Sequence, residues 1–247
     1  MSTITNITKI YNRFKERKIT MKKFIKSSLS LSLATLMSVS MFANAGEAIA
    51  DDHSSSAVTY NVGYMSEYWY RGVYQSESSV SFGADAEMGN FYIGTWWADV
   101  DTGVEYDLYA GYNFSLMGIP MYAGYTGYYY SDNFDGDYEE INLGADLGFM
   151  SIDAAIDGEY EQLANAGDQG YQHYTVTVPL SIVGLPLDYS YQTWAGELTG
   201  FTHELSYGAT VSGVDVGVVL GRNSDDSTGS ASNIDTTYAN FTLGYSF

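Results

Sequence analysis

Twelve times between residue 57 and residue 247, apolar and polar residues alternate with period two, and a helical period of 3.6 does not appear. The clearest run sets Val104, Tyr106, Leu108, Ala110, Tyr112 and Phe114 against Glu105, Asp107, Tyr109, Gly111, Asn113 and Ser115. The runs lie near 57–70, 78–88, 90–99, 103–115, 119–130, 137–148, 150–161, 170–182, 185–195, 199–211, 214–222 and 234–247. With about ten residues each, they have the length of a tilted strand that crosses a bilayer. Composition agrees: 24 tyrosines and 26 glycines against three prolines suit many short strands rather than helices. No cysteine is present, so thiolate chemistry and disulfides are excluded.

The links between runs alternate in length. Short turns are expected at Gly89-Asn90, Leu116-Met117-Gly118, Gly148-Phe149, Val183-Gly184 and Ser212-Gly213. Longer polar links are expected at 71–77, 100–102, 131–136, 162–169, 196–198 and 223–233. An even strand number with all short turns on one side fits an up-and-down membrane barrel with both ends on the periplasmic side. The aromatics Tyr68, Tyr70, Trp97, Tyr128, Tyr129, Tyr130 and Trp194 are expected to girdle the outer rim, and Phe91, Phe114, Phe149 and Phe247 the inner one.

Charge separates a leader from the body. Eight of the ten basic residues fall in the first 26 positions, whereas from Glu47 onward only Arg71 and Arg222 face 29 carboxylates. Met21 to Lys26 is a basic start, Ser27 to Phe42 is moderately apolar, and Ala43-Asn44-Ala45 is a small-residue cleavage site. We therefore expect a Sec-type signal peptide within residues 1–45, starting at Met21, with an alternative cut after Ala50. A short polar segment, 46–56, then precedes a barrel over 57–247. The expected fold is all-β: an antiparallel outer-membrane barrel of about twelve strands. So acidic a body repels nucleic acid and attracts cations.

On the polar face the alternation gathers Glu67, Asp85, Glu87, Glu105, Asp107, Glu140, Asp146, Asp153, Asp157, Glu159, Asp188, Glu204 and Asp215, interleaved with glycines. These carboxylates cannot all face lipid, because an unpaired buried charge costs several kcal/mol. They are expected to line a narrow acidic lumen that passes small hydrophilic solutes and prefers cations. The other reading is a lumen plugged by its own side chains, in a structural or surface-interaction barrel. Arg71, the one cation expected to face this lumen, is expected at the outer end of the first strand, either at a constriction or clamping an anionic group, or else paired with Glu67 or Asp99.

In the last run, Phe241, Leu243, Tyr245 and Phe247 alternate with polar residues, as in the C-terminal strand that barrel-assembly machinery recognises. Lipid and lipopolysaccharide are the other expected partners. No cofactor is expected. His173 is expected inside and His203 outside, which is no arrangement for a serine hydrolase, so no enzyme activity is expected. The acidic stretch from Asp132 to Asp137 departs from a calcium loop at its first and twelfth positions, so no metal site is expected.

Several motifs carry a family likeness. They are Ser66-Glu67-Tyr68-Trp69-Tyr70-Arg71-Gly72, Gly89-Asn90-Phe91-Tyr92-Ile93-Gly94-Thr95-Trp96, Val100-Asp101 and Glu105-Tyr106-Asp107-Leu108-Tyr109-Ala110-Gly111-Tyr112. Gly127-Tyr128-Tyr129-Tyr130 and Tyr138-Glu139-Glu140-Ile141 complete the series. Their order resembles the TorF-type putative porins of proteobacteria, over roughly residues 57–247. The resemblance implies a small outer-membrane barrel and brings no catalytic residues.

Overall fold

The computed structural model describes residues 57–163, 167–224 and 236–247. The leader, both cleavage sites, segment 46–56 and the acidic pair Asp225 and Asp226 lie outside them.

Fourteen strands are formed among the described residues. The first five are β1 (Ala57–Met65), β2 (Tyr68–Tyr70), β3 (Val73–Ser76), β4 (Ser79–Met88) and β5 (Phe91–Val100). Next come β6 (Gly103–Leu116), β7 (Ile119–Tyr130), β8 (Tyr138–Asp146), β9 (Ser151–Glu161) and β10 (Asp168–Pro179). The last four are β11 (Asp188–Gly196), β12 (Gly200–Val211), β13 (Val214–Asn223) and β14 (Thr237–Ser246). All but β2 and β3 belong to one closed antiparallel barrel of twelve strands, each paired with its neighbours in chain order. Closure falls between β1 and β14, where Tyr60 and Phe247 exchange both backbone hydrogen bonds at 2.9 Å. Closing the sheet leaves no unpaired edge.

The molecule is inside-out. Among the described residues seventeen polar or charged side chains are buried against fifteen apolar ones, while 36 large apolar side chains are exposed. The exposed set is the apolar face of each run: Val58, Val62, Phe82, Ile93, Leu108, Ile141, Leu220 and Phe241, for example. A continuous apolar exterior of this extent belongs in lipid rather than water. Phe91, Phe114, Phe149 and Phe247 are exposed at the end that carries the short turns, as expected for a girdle. Trp97, Tyr106 and Tyr129 stack on the outer surface at the opposite end, with ring centroids 5.4 Å apart.

Two departures concern strand limits. The first run does not continue to residue 70. β1 stops at Met65, and the chain turns into the barrel as the hairpin β2–β3. The link expected at Val183-Gly184 is longer, because β10 ends at Pro179 and β11 begins only at Asp188. Pro179 and Pro186 have no N–H for the ladder, and a 3-10 turn over Leu180–Val183 fills the gap.

A third departure concerns the rim aromatics. Tyr68, Tyr128 and Trp194 are buried inside the barrel instead of ringing it, and Tyr70 turns inward to donate to the Tyr128 hydroxyl. Parity explains Tyr128 and turns Tyr130 inward as well: both share a face with the buried Thr126, while Tyr129 shares one with the exposed Tyr125.

Inside, tyrosines lie flat on glycines of the adjacent strand. Tyr92 faces Gly111, Tyr109 faces Gly94, Tyr122 faces Gly144, Tyr171 faces Gly158, and Tyr238 faces Gly221, each directly across the ladder. A Cβ on any of these glycines would fall 2.0–2.6 Å from the opposing ring. The glycines thus let bulky rings lie along the wall, where they lean towards neighbouring carboxylates. Gly144→Val should lower the thermal unfolding midpoint by the equivalent of about 1–3 kcal/mol. Adding Tyr122→Ala should recover part of that loss, since the clash then has no partner. An unchanged midpoint in the single variant would show that the ring does not rest on the glycine.

Candidate functional site

Whatever passes through a barrel must pass its narrowest level, and here that level is built by the hairpin. Arg71 and Gly72 form its two-residue tip, with φ of 50° and 78° and Tyr70 paired to Val73. Positive φ at both positions is the turn whose twist suits a tight hairpin. At the tip a side chain larger than glycine has no room: a Cβ on Gly72 would meet Thr202 Oγ1. The entry is held by Asn240, whose Oδ1 accepts from Ser66 Oγ and the Glu67 N–H, both at 3.4 Å. Trp69 then stacks on Tyr238 at 4.2 Å, almost parallel, and its Nε1 donates to Glu67 at 2.8 Å.

The tip crosses the bore and docks on the far wall. Arg71 donates twice to Glu140 on β8, both at 2.7 Å, in a bidentate pair. Glu140 also accepts from Tyr128 and Tyr171 hydroxyls at 2.9 Å and from Asn142 Nδ2 at 2.7 Å. Its side chain is wholly buried. Burial opposes the charge on Arg71, but Glu140 outweighs it, so the guanidinium pKa is raised well above its usual value. The hairpin backbone is held too: Trp194 Nε1 donates to the Arg71 carbonyl at 3.2 Å, and Asn223 Nδ2 to the Gly72 carbonyl at 2.9 Å.

At this level every barrel strand supplies a buried wall residue. Examples are Met65, Ser81, Ala98, Asp107, Thr126, Glu140, Ala155, His173, Gln192, Thr202, Asn223 and Asn240, one from each strand in turn. The hairpin and these wall residues therefore form a belt that narrows the lumen. On the turn side of the belt, inward residues such as Asp85, Gly111, Asn113 and Asp153 remain partly exposed. On the loop side lies a vestibule of about 710 Å³ with Arg71 and Trp194 among its lining residues.

The expected lumen carboxylates separate by position. Glu105, Asp107, Glu140 and Glu204 are buried in the belt. Glu204 accepts from Tyr238 at 2.6 Å and Gln192 at 2.8 Å, whereas neither oxygen of Asp107 has a partner among the described residues. On the turn side, Asp85 accepts from Tyr109 at 2.6 Å and Asp153 from Tyr122 at 3.0 Å. Glu87, Asp146 and Asp188 are partly exposed near the turns, and Asp215 is exposed there beside Thr210. Glu67 lies in the entry to the hairpin.

Asp157 and Glu159 depart from the expected face. β9 carries an extra residue opposite both neighbours, with Asp157 at φ 52°, and beyond this bulge the parity inverts. Gly158 and Tyr160 turn inward, while Glu159 pairs with the exposed Glu139 and Asp157 is left exposed. Arg71 departs as well. It pairs with Glu140, sixty-nine residues away, and not with Glu67 or Asp99. Of the C-terminal residues, Phe241, Tyr245 and Phe247 are exposed on the outer face, with Leu243 partly so.

Residues 49–192 match the model of a family described as bacterial protein of unknown function, Gcw_chp. The chain belongs to the Gcw_chp family. The Gcw_chp match takes in the hairpin, Glu140 and the belt carboxylates of β6, and it stops before β12. No curated protein matches the chain. Among solved structures this Gcw_chp barrel is similar to the KdgM porin, at 9% identity over 78% of this chain and 98% of that one, with a TM-score of 0.49. It is similar to OccK2 (OpdF) of Pseudomonas aeruginosa in complex with glucuronate, at 14% identity, 80% and 73% coverage and a TM-score of 0.40. A BenF-like porin from Pseudomonas fluorescens Pf-5 is similar at 11% identity, 74% and 58% coverage and a TM-score of 0.38.

The neutral partners in the belt were not singled out by sequence: Asn142, Tyr171, Gln192, Thr202, Asn223, Tyr238 and Asn240. All but Tyr171 share inward parity with a carboxylate or a glycine of their own strand, which is the signal that could have found them. The hairpin left a signal too, as the pair Arg71-Gly72 between Tyr70 and Val73.

The two described histidines lie on opposite faces. His173 is buried against Trp194 with Nε2 unpartnered among the described residues, and His203 Nδ1 is 2.7 Å from the Tyr189 hydroxyl on the outer face. No group of three or more His, Asp or Glu able to hold a metal is found among the described residues.

Arg71→Met should leave Glu140 as a buried charge without its cation, at a cost of about 3–5 kcal/mol. We expect faster hydrogen exchange at the amides of 68–76 in a barrel that still folds. Arg71→Met with Glu140→Met should exchange more slowly than the single variant, and equal rates in the two would show that the pair does not hold the hairpin.

Proposed function

We propose that this protein is an outer-membrane channel for small hydrophilic solutes, constricted by an internal hairpin and preferring cations. The observation that carries this reading is a polar lumen, with solvent-accessible inward residues on both sides of one narrow belt, within an apolar exterior. A structural plug would have no need of two water-facing halves. The lining favours cations because the inward face carries many carboxylates, while Arg71 is neutralised by Glu140. The resemblance to the TorF-type putative porins fits the same reading. On this view the apolar exterior faces lipid and lipopolysaccharide, and the outward Phe241, Tyr245 and Phe247 are the surface that barrel-assembly machinery engages.

The tight packing of the belt also favours a second reading, a non-conducting surface-interaction barrel. One experiment separates the two. The refolded barrel is placed in a planar bilayer under a potassium chloride gradient, beside a variant with residues 68–76 replaced by a short Gly-Ser link. Channel function requires discrete cation-selective steps from the native chain, and larger or more frequent ones from the variant. A native chain that stays silent while the variant conducts would mean that the hairpin is a permanent plug.

Selectivity gives a further test. Replacing Glu105, Asp107, Asp153 and Glu204 by their amides should move the reversal potential towards zero. Asp157→Asn should leave it where it was, because Asp157 has left the lumen face.

A further inference from the structure

The vestibule above the hairpin is more than a widening of the bore. It encloses about 710 Å³, within the size range of small-molecule sites. Its wall carries a fixed aromatic platform: Tyr138 and Tyr160 stack at 4.3 Å, and both hydroxyls donate to Asp135, at 3.0 and 2.7 Å. Tyr171 and Trp194 meet edge to face at 5.5 Å and continue the aromatic wall toward the tip. Three amides, Gln75, Gln162 and Gln169, also line the space. Gln75 is buried, and its Oε1 has no hydrogen-bond partner among the described residues. An acceptor so placed calls for a donor from whatever enters.

Charge narrows the class of guest. An anion would find Arg71 already held by Glu140 and would meet Asp101 and Asp135 in the lining. An organic cation would find the aromatic faces nearest the tip taken, since the Arg71 guanidinium lies 4.9 Å from the Tyr70 ring centre and 5.6 Å from that of Trp194. What remains is an uncharged molecule with apolar faces to stack on rings and many hydroxyls to pair with amides and phenols. A pyranose ring has that chemistry: its axial C–H faces pack on aromatics, and its rim donates and accepts.

We propose that the vestibule is a binding site for neutral saccharides, with Tyr138 and Tyr160 as stacking surfaces and Gln75 as a hydrogen-bond acceptor. The inference rests on the channel reading in that it names the class of solute presented to the belt. Binding itself needs no conduction, so the two can fail separately.

The test uses the whole refolded barrel in detergent. Maltose, cellobiose and sucrose are titrated by calorimetry and by tryptophan fluorescence, with choline and gluconate as charged comparators. At least one sugar should bind saturably, with a dissociation constant on the order of 1 mM, and both charged probes should bind roughly tenfold more weakly. Tyr160→Ala and Gln75→Leu, each checked for the heat-modifiable gel mobility of a folded barrel, should weaken that sugar about fivefold or more.

Absence of saturable binding by all three sugars overturns the proposal, as does tighter binding of choline or gluconate. Unchanged affinity in both folded variants overturns the location. Sugar binding by a barrel that passes no current would leave this site standing and remove the channel reading. Current without sugar binding would do the reverse.

Discussion

Glu140 is the point on which the interior depends. It is wholly buried and accepts five hydrogen bonds, two from Arg71 and one each from Tyr128, Asn142 and Tyr171. A carboxylate in that position would be costly alone. Here its charge is met by the guanidinium at the hairpin tip, and every donor that satisfies it also fixes a wall strand. Through this one group β7, β8 and β10 are tied to a hairpin that springs from β1. The vestibule, the belt and the separation of the lumen into two wet halves all follow from where the tip is anchored.

A second physical device makes room for that anchor. Twelve strands enclose a bore too wide to be filled by wall side chains in the way eight strands can be. The chain fills it at one level by folding in a segment, and keeps it open at others by pairing tyrosine with glycine across the ladder. The rings of Tyr92, Tyr109 and Tyr122 lie over Gly111, Gly94 and Gly144 on the turn side. There Tyr109 and Tyr122 hold Asp85 and Asp153 through their hydroxyls. At the belt the same pairing, Tyr238 on Gly221, turns a ring flat so that Trp69 can stack on it.

Much of the barrel was legible because a two-residue period has one consequence in a closed sheet. Val104 to Ser115 could be assigned face by face, and Glu105, Asp107, Glu204 and Asp153 do lie on the inner wall. Assignment failed where the period broke. The bulge at Asp157 inverts β9 beyond it, and nothing local in Ile156-Asp157-Gly158 announces an extra residue. Aromatics were misread for another reason. Tyr128 and Trp194 have the composition of a rim girdle, but their neighbours' parity puts them inside, where they meet the hairpin.

Alternation, turn spacing and the absence of helical periodicity settled from sequence alone that this chain makes a closed antiparallel barrel with an acidic interior and an apolar exterior. These are local properties, repeated often enough that no single exception could change the fold. Only the tertiary structure decided that residues 68–76 turn inward, that Arg71 pairs with Glu140, and that the vestibule exists. Those outcomes depend on which wall residues stand opposite one another across the bore. That distance is fixed by strand number and stagger around the whole closed sheet, and no stretch of neighbouring residues encodes it.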